Sequence, residues 1–164
     1  MANSSIIGKA KNKIIKEFIK DEAIIQAIGS TEVKSPEKLV GTHIFDYHQN
    51  PNTLNTVGTF ITVQVHIPNS YYMASSRAWV NPTIEIWIIS HWEHMIVDNI
   101  SKITENRNDY LSRLIDNKIN GNMSLGFSDV ELLSNEEGAF QTDYVYRQML
   151  FECTDLNKAL CDYE

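Results

Sequence analysis

The segment HWEHM at 91–95 holds two histidines and a glutamate, residue types that can bind a metal. Zinc hydrolases with an H-E-x-x-H motif place their histidines four positions apart on a helix, so that both rings reach one ion. His91 and His94 are three positions apart, which on a strand directs them to opposite faces. His91 and Glu93 would share a face, but zinc deaminases pair H-x-E with a P-C-x-x-C segment, which this sequence lacks. The segment therefore indicates the end of a strand.

The sequence offers one further candidate for an enzymatic site. His43, His66 and His91 all lie in predicted strands and could converge, so a metal-dependent hydrolase using His66, His91 and Glu93 is the alternative in the enzyme class. Otherwise the sequence has no G-x-S-x-G, no phosphate-binding G-x-x-x-x-G-K-[ST], and no nucleophile paired with a base. We expect no catalysis, no cofactor and no bound metal; the metal content of the purified protein separates these alternatives.

The charge pattern limits the partners. The chain has 164 residues and a net charge of −7, which argues against sequence-independent binding to nucleic acid. No apolar run is long enough to span a membrane. Five lysines nevertheless crowd the first predicted helix, at positions 9, 11, 13, 16 and 20. They form either a solvated helix face or a surface for an acidic partner. Cys153 and Cys161 show no C-x-x-C spacing and are expected to be reduced, structural thiols.

Hydrophobic periodicity predicts one α+β domain over 1–164, with a mainly antiparallel sheet of about five strands and two helices packed on one face. The N-terminal helix spans 5–28, as one helix or two, and ends at Gly29. The sheet region spans 42–155, followed by a short C-terminal tail at 156–164. The predicted sheet-region elements are strands at 42–48, 59–67 and 83–93, a helix capped by Asn108 or Asp109 and ended by Gly121, a strand at 128–134, a turn at 135–139 and a strand at 141–155.

The connection at 68–82, PNSYYMASSRAWVNP, is unusually aromatic for a loop. It either packs on its own domain or forms a subunit interface, since aromatic residues, Met and Arg are enriched in interface cores. The candidate interface residues are Tyr71, Tyr72, Met73, Arg77 and Trp79 in this connection, with Lys9, Lys13 and Lys16 on the first helix.

The order and pattern of elements carry a family resemblance from about residue 5 to 157. After an amphipathic helix come GTFITVQVHIP and PTIEIWIISHWE, then a helix R-x-D-Y-L-x-x-L-I-D-x-x-I-N-G from Arg107 to Gly121, then VELLSNEEG and DYVYRQMLFECTDLN. This layout resembles the neck and tail-completion proteins of tailed bacteriophages, particularly the tail terminator group.

The resemblance implies a structural virion protein. It would form a ring, commonly a hexamer, that terminates the tail tube and joins it to the head connector, with DNA passing through the lumen without specific binding. Its partners would be other copies of itself, the tail tube protein and the connector or neck proteins, with no membrane involved. Assembly would occur in the host cytoplasm, and net negative charge would suit the lumen. The alternatives are a head-closure or other neck adaptor, or an accessory protein of a toxin or secretion system built on a phage-tail-like tube.

Overall fold

The computed structural model describes residues 5–31, 35–50, 56–67, 70–72, 78–80, 82–122, 125 and 128–155. The helices are α1 (Ser5–Lys20), α2 (Glu22–Ile28), α3 (Pro36–Leu39) and α4 (Arg107–Ile119). The strands are β1 (Ile44–Phe45), β2 (Thr59–His66), β3 (Ser70–Tyr72), β4 (Ala78–Val80), β5 (Thr83–His91), β6 (Ser128–Phe140) and β7 (Tyr144–Asp155). No helix in these ranges is both long and apolar enough to cross a membrane.

A five-stranded sheet in the order β1-β2-β5-β7-β6 organises the fold. Every neighbouring pair is antiparallel except β1 and β2, which are parallel. The predicted α+β class with a mainly antiparallel sheet is therefore confirmed. The strand predicted at 42–48 is only two residues long, at the sheet edge beside β2.

The helices cover one face of the sheet, here called the inner face. The alternation predicted for β2 and β5 is confirmed there, since Ile61, Val63 and Val65 and their cross-strand neighbours Ile84, Ile86 and Ile88 are buried in one cluster. Helix α1 contributes Ile14 and Phe18 to this cluster, and α4 contributes Leu111 and Ile115. Burying such side chains is the main favourable term that holds the two layers together.

The N-terminal helical region is two helices that meet at Asp21. The Asp21 carboxylate accepts hydrogen bonds from the backbone amides of Ala23 (3.0 Å) and Ile24 (3.4 Å), which caps α2. Gly29 ends α2 with a φ of 65°, as predicted for a helix-terminating glycine. Residues 5–28 were predicted to form one helix or two, and the prediction of two helices is correct. The helix is interrupted because the Asp21 side chain competes for the backbone amides.

The last two strands differ from their predicted boundaries. Residues 135–139, predicted as a turn, are part of the long β6, and the turn to β7 lies at 141–143. The polar sequence NEEGA resembles a turn, but pairing with β7 extends β6 as far as Phe140. Gly138 is required inside the strand because a Cβ atom there would lie 2.6 Å from the Tyr146 hydroxyl oxygen. Gln141, with φ 60°, takes the turn conformation instead.

Three smaller predictions need correction. The connection at 68–82 contains a two-stranded hairpin, β3 and β4, and is not a plain loop. Helix α4 is capped by Asn106, whose side chain accepts a hydrogen bond from the Asp109 amide at 2.9 Å, and not by Asn108 or Asp109. Strand β5 stops at His91, so Trp92 lies in a single 3-10 turn (Trp92–His94) and is 58% exposed.

Candidate interaction surfaces

The strand histidines do not assemble a metal site. His66 lies opposite Thr83 and His91 lies at the other end of β5, eight residues away, so they are about 26 Å apart at 3.3 Å per residue. His66 Nε2 instead contacts Glu85 Oε2 at 2.9 Å, while His43 Nδ1 contacts the Thr59 carbonyl oxygen at 2.9 Å. Across the described ranges, no group of three His, Cys, Asp or Glu side chains could hold a metal ion. The geometry therefore does not support a hydrolase using His66, His91 and Glu93.

His94 belongs to a buried hydrogen-bond network instead. Its Nδ1 lies 2.8 Å from Thr59 Oγ1, which contacts Ser90 Oγ at 2.8 Å, and Ser90 donates to Asn108 Oδ1 at 2.6 Å. Burial first, and then the nearby Arg107 charge, lower the pKa of His94. The hydroxyls of Thr59 and Ser90 link strands β2 and β5 to helix α4. Because both residues are completely buried, a substrate could not reach these hydroxyls. Sequence reasoning missed this network, because it joins four separate segments.

Arg107 ties three parts of the helix layer together. It is 1% exposed, and it donates from Nε to the His94 carbonyl (2.7 Å), from Nη1 to the Ala27 carbonyl (2.6 Å) and from Nη2 to the Ile96 carbonyl (2.8 Å). A guanidinium suits this task because its donors are fixed in a plane and can serve several acceptors at once. Arg107, the first residue of α4, therefore has a structural role, because its guanidinium donors already bind backbone carbonyls and are not free to bind a ligand.

A pocket of about 420 Å³ lies between α4 and the β6–β7 ribbon. Its one arginine, Arg147, is already neutralised, with Nε 2.7 Å from Asp109 Oδ1 and Nη2 3.3 Å from Glu137 Oε2. Asp109, one of the two predicted caps of α4, lies instead in its first turn and pairs with Arg147 on β7. The pocket offers no unpaired charge and no nucleophile beside a base, so it does not resemble an active site.

The hairpin of β3 and β4 forms a separate two-stranded sheet in the connection between β2 and β5. In its register Tyr71 pairs with Trp79 and Tyr72 with Ala78. Its return strand leads through Pro82, whose carbonyl accepts a hydrogen bond from the Cys153 amide at 3.0 Å, into β5. The hairpin therefore lies at the end of the sheet where β7 finishes. The other two candidate interface residues of this segment, Met73 and Arg77, fall outside the described residues.

A lysine stripe (Lys9, Lys13, Lys16 and Lys20) runs along α1 at steps of four, three and four residues, which places it on one helix face. Lys20 pairs with Glu17 at 3.0 Å. Lys9, Lys13 and Lys16 make no ion pair or hydrogen bond with any described residue. The three predicted interface lysines thus carry uncompensated charge on the helix layer.

The other face of the sheet, here called the outer face, has no described helix packed on it and divides into two halves. One half is apolar and aromatic, built from Phe45, Phe60, Trp87, Ile89, Phe140, Tyr144 and Tyr146. The other half, here called the acidic half, carries Glu85, Glu131, Glu136 and Glu152, which strand register places on this face. Tyr47, 51% exposed, and the Trp87–Tyr146 ring contact at 4.7 Å show that aromatic surface reaches the exterior here. Sequence analysis did not single out this face.

Comparison with known proteins identifies the family and supports the fold. The structure is similar to a chain in the virion of the native gene transfer agent particle, with a TM-score of 0.63 and 10% identity, covering 93% of this chain and 98% of that one. At this identity the likeness concerns the fold alone. A comparison with curated protein sequences gives no match. The model of the YomW family matches residues 12–153, most of the chain, and the protein therefore belongs to the YomW family, which is phage-derived.

Proposed function

We propose that this protein is a structural component of a phage or phage-like particle, in which it forms the ring that terminates the tail tube and joins it to the head connector. The observation that carries the proposal is the fold shared with the gene transfer agent virion chain, which extends over 98% of that chain. Membership of the phage-derived YomW family supports the same setting.

The surfaces of the molecule support a role in assembly. A closed ring needs two different surfaces on each subunit, because each copy contacts one neighbour on either side. The hairpin lies at one end of the sheet, the lysine stripe on the helix layer, and the outer face on the opposite side of the molecule. Three distinct interaction surfaces on a subunit of this size suit a protein that contacts its own copies, a tail tube and a connector.

The interior chemistry also supports a structural protein. The buried polar side chains of Arg107, Ser90 and Asn108 form hydrogen bonds that bridge elements of the same chain. Such networks fix the relative position of a sheet and its helices. In the proposed ring, DNA passes through the lumen without specific binding, which the net charge of −7 favours. A ring structure with a strongly basic lumen would contradict this part of the proposal.

Deletion of the gene from the particle-encoding genome tests the role directly, with particles measured by electron microscopy. A terminator stops tube growth, so its loss should leave tails of irregular, excessive length beside unjoined heads. Restoration of uniform tails by the gene supplied in trans is the control. Tails of normal length that remain unjoined would instead support a head-closure or other neck adaptor. Normal, fully joined particles would contradict both roles.

A further inference from the structure

We infer that the lysine stripe on α1 of one copy docks on the acidic half of the outer face of the next copy. The inference rests on the ring assembly of the proposed function and names the two surfaces that meet. Each surface carries charge that the described residues of its own chain leave unbalanced, and the two lie on opposite sides of one subunit.

Three lysines of the basic surface have no partner among the described residues. Lys11 donates to the Asp46 carbonyl at 2.6 Å and Lys20 pairs with Glu17, but Lys9, Lys13 and Lys16 have no described acceptor. The opposite side of α1 is fixed by burial of Ala10, Ile14 and Phe18 against the sheet. The helix therefore cannot rotate to bring these lysines to an acid among the described residues, and they can contact another molecule.

The acidic half of the outer face carries uncompensated negative charge. Glu131 on β6 lies directly opposite Glu152 on β7, a cross-strand arrangement of like charges that destabilises a sheet. Neither carboxylate forms an ion pair with a described residue, and Glu136, also exposed, forms none. No lysine or arginine of the described strands points to this face, because Arg147 turns to Asp109 on the inner side. A cation from outside would relieve this repulsion.

Glu85 adds a carboxylate that is held in its charged form. Burial raises its pKa, but hydrogen bonds from the Trp87 indole (2.8 Å), the Gln148 amide (2.5 Å) and His66 outweigh it, so that the pKa lies below its ordinary value. The acidic half therefore stays negative at neutral pH.

The edge of the sheet is less suited to self-pairing than its face. Strand β6 is an exposed edge of 13 residues, but its pairing with β7 shifts between Leu132 and Ser134, which marks a bulge. Bulges and charged side chains are the usual features that prevent edge-to-edge pairing of sheets. A neighbouring copy is therefore better received on the outer face than along β6.

The placement of the two surfaces determines the kind of assembly. Because one lies on the helix layer and the other on the outer face, a two-fold dimer could not satisfy both contacts at once. Repeating the contact head to tail uses one surface toward each neighbour, which closes into a ring or continues as a filament. The complementary charges would also guide encounter and fix register, which is their common role at protein interfaces.

Two charge-reversal variants test the contact. In the basic-side variant Lys13→Glu is combined with Lys16→Glu; in the acidic-side variant Glu131→Lys is combined with Glu152→Lys. Self-association of each is measured by sedimentation velocity at about 0.1 M and about 1 M salt, where charge screening differs strongly. We expect each variant alone to associate at least about tenfold more weakly than the unmodified protein, since like charges then face each other across the contact. Mixed in equal amounts, the two should co-assemble, because every contact between unlike variants is complementary.

The matched control is Lys38→Glu combined with Lys102→Glu, which makes the same charge change at exposed lysines outside the stripe. It should associate like the unmodified protein, and circular dichroism should show that all variants fold. Unchanged assembly of either reversed variant would overturn the inference while leaving the ring intact. An unmodified protein and an equal mixture that both stay monomeric at the highest concentration would also overturn it. The gene-deletion experiment would still decide the proposed function in either case.

Discussion

Arg107 Nη1 donates to the carbonyl oxygen of Ala27 at 2.6 Å, joining the start of α4 to the end of α2 across 80 positions of sequence. The same guanidinium group also holds the carbonyls of His94 and Ile96. These carbonyls belong to the last turn of a helix and to a loop, where backbone acceptors have no regular partner. One buried side chain thus satisfies acceptors from two segments and fixes how they meet.

Replacement of this arginine should be among the most damaging single changes. Arg107→Ala would remove the partner of three carbonyls, of which that of Ala27 is buried and those of His94 and Ile96 are partly buried. We expect a loss of about 3 kcal/mol or more in the free energy of unfolding, measured by urea denaturation. Arg107→Lys keeps the charge but not the planar set of donors, so it should lose about 2 kcal/mol. Arg113→Ala, at an exposed ion pair with Glu105, is the control and should change stability by less than about 1 kcal/mol. Equal effects at positions 107 and 113 would refute the anchoring role.

Both the backbone conformation of Gly29 and its close contact with Arg107 exclude a side chain at this position. Its φ of 65° disfavours other residues, and a Cβ atom would lie 2.5 Å from Arg107 Nη1. Gly29→Ala should therefore destabilise the protein by more than about 1 kcal/mol. Gly8→Ala is the matched change in α1, where a Cβ atom meets nothing within 4 Å, and it should stabilise by about 0.5 to 1 kcal/mol. Thermal unfolding of both variants measures the difference, and the same sign for both would contradict the packing argument.

The buried network around His94 predicts a dependence of stability on pH. Burial and the Arg107 charge lower the pKa of His94 from its ordinary 6.5, so the folded state binds this proton less readily than the unfolded state. The stability is then complete above about pH 6.5 and falls as the pH drops from there toward the lower folded pKa. Melting temperatures between about pH 7.5 and pH 5.5 should decline less steeply in His94→Asn than in the unmodified protein. His48→Asn, at an exposed histidine, should keep the original slope; if it alone flattened the curve, His94 would not be the titrating group.

Cys153 should behave as an inert thiol. Burial, assisted by the Glu152 charge, raises the pKa of its thiol to about 12, and its side chain is completely buried. Thiolate is the reactive form, so the native protein should protect it. In a Cys161→Ser variant, a thiol reagent at neutral pH should react slowly with the folded protein and completely after denaturation. Rapid reaction in the folded state would show that the β7 end opens frequently.

The hairpin is proposed as a second assembly surface, and Trp79 is its largest side chain. Trp79→Ala should fold normally yet lose assembly, since truncating a central interface tryptophan commonly costs 2 kcal/mol or more of binding free energy, about a thirtyfold change. Trp92→Ala, at an exposed tryptophan in the 3-10 turn, is the control for loss of an indole. Assembly is measured by native mass spectrometry, which also reports any bound metal. A Trp79→Ala protein that assembles like the control would remove the hairpin from the ring contacts.

The sequence by itself determined the fold class and most of the inner core. Period-two alternation in β2 and β5 identified the residues that face the helices, because a strand turns alternate side chains to opposite faces whatever its partners. Gly29 as the end of a helix followed from the freedom of glycine at positive φ. The same local reasoning identified HWEHM as the end of a strand. Its two histidines are three positions apart, a spacing that does not match the H-E-x-x-H motif and that directs them to opposite faces of a strand.

Tertiary structure decided the rest, because the deciding contacts join residues that are distant in sequence. Residues 135–139 have the composition of a turn, yet pairing with β7 makes them strand. Arg107 and Asn108 looked like the start of a helix, and only the folded chain brings the carbonyl of Ala27 and the hydroxyl of Ser90 to them. The outer face, with Glu131 opposite Glu152, exists only once the register of two strands is set. The local propensity for helix, strand or turn depends on neighbouring residues, whereas charge balance and burial depend on which distant segments come into contact.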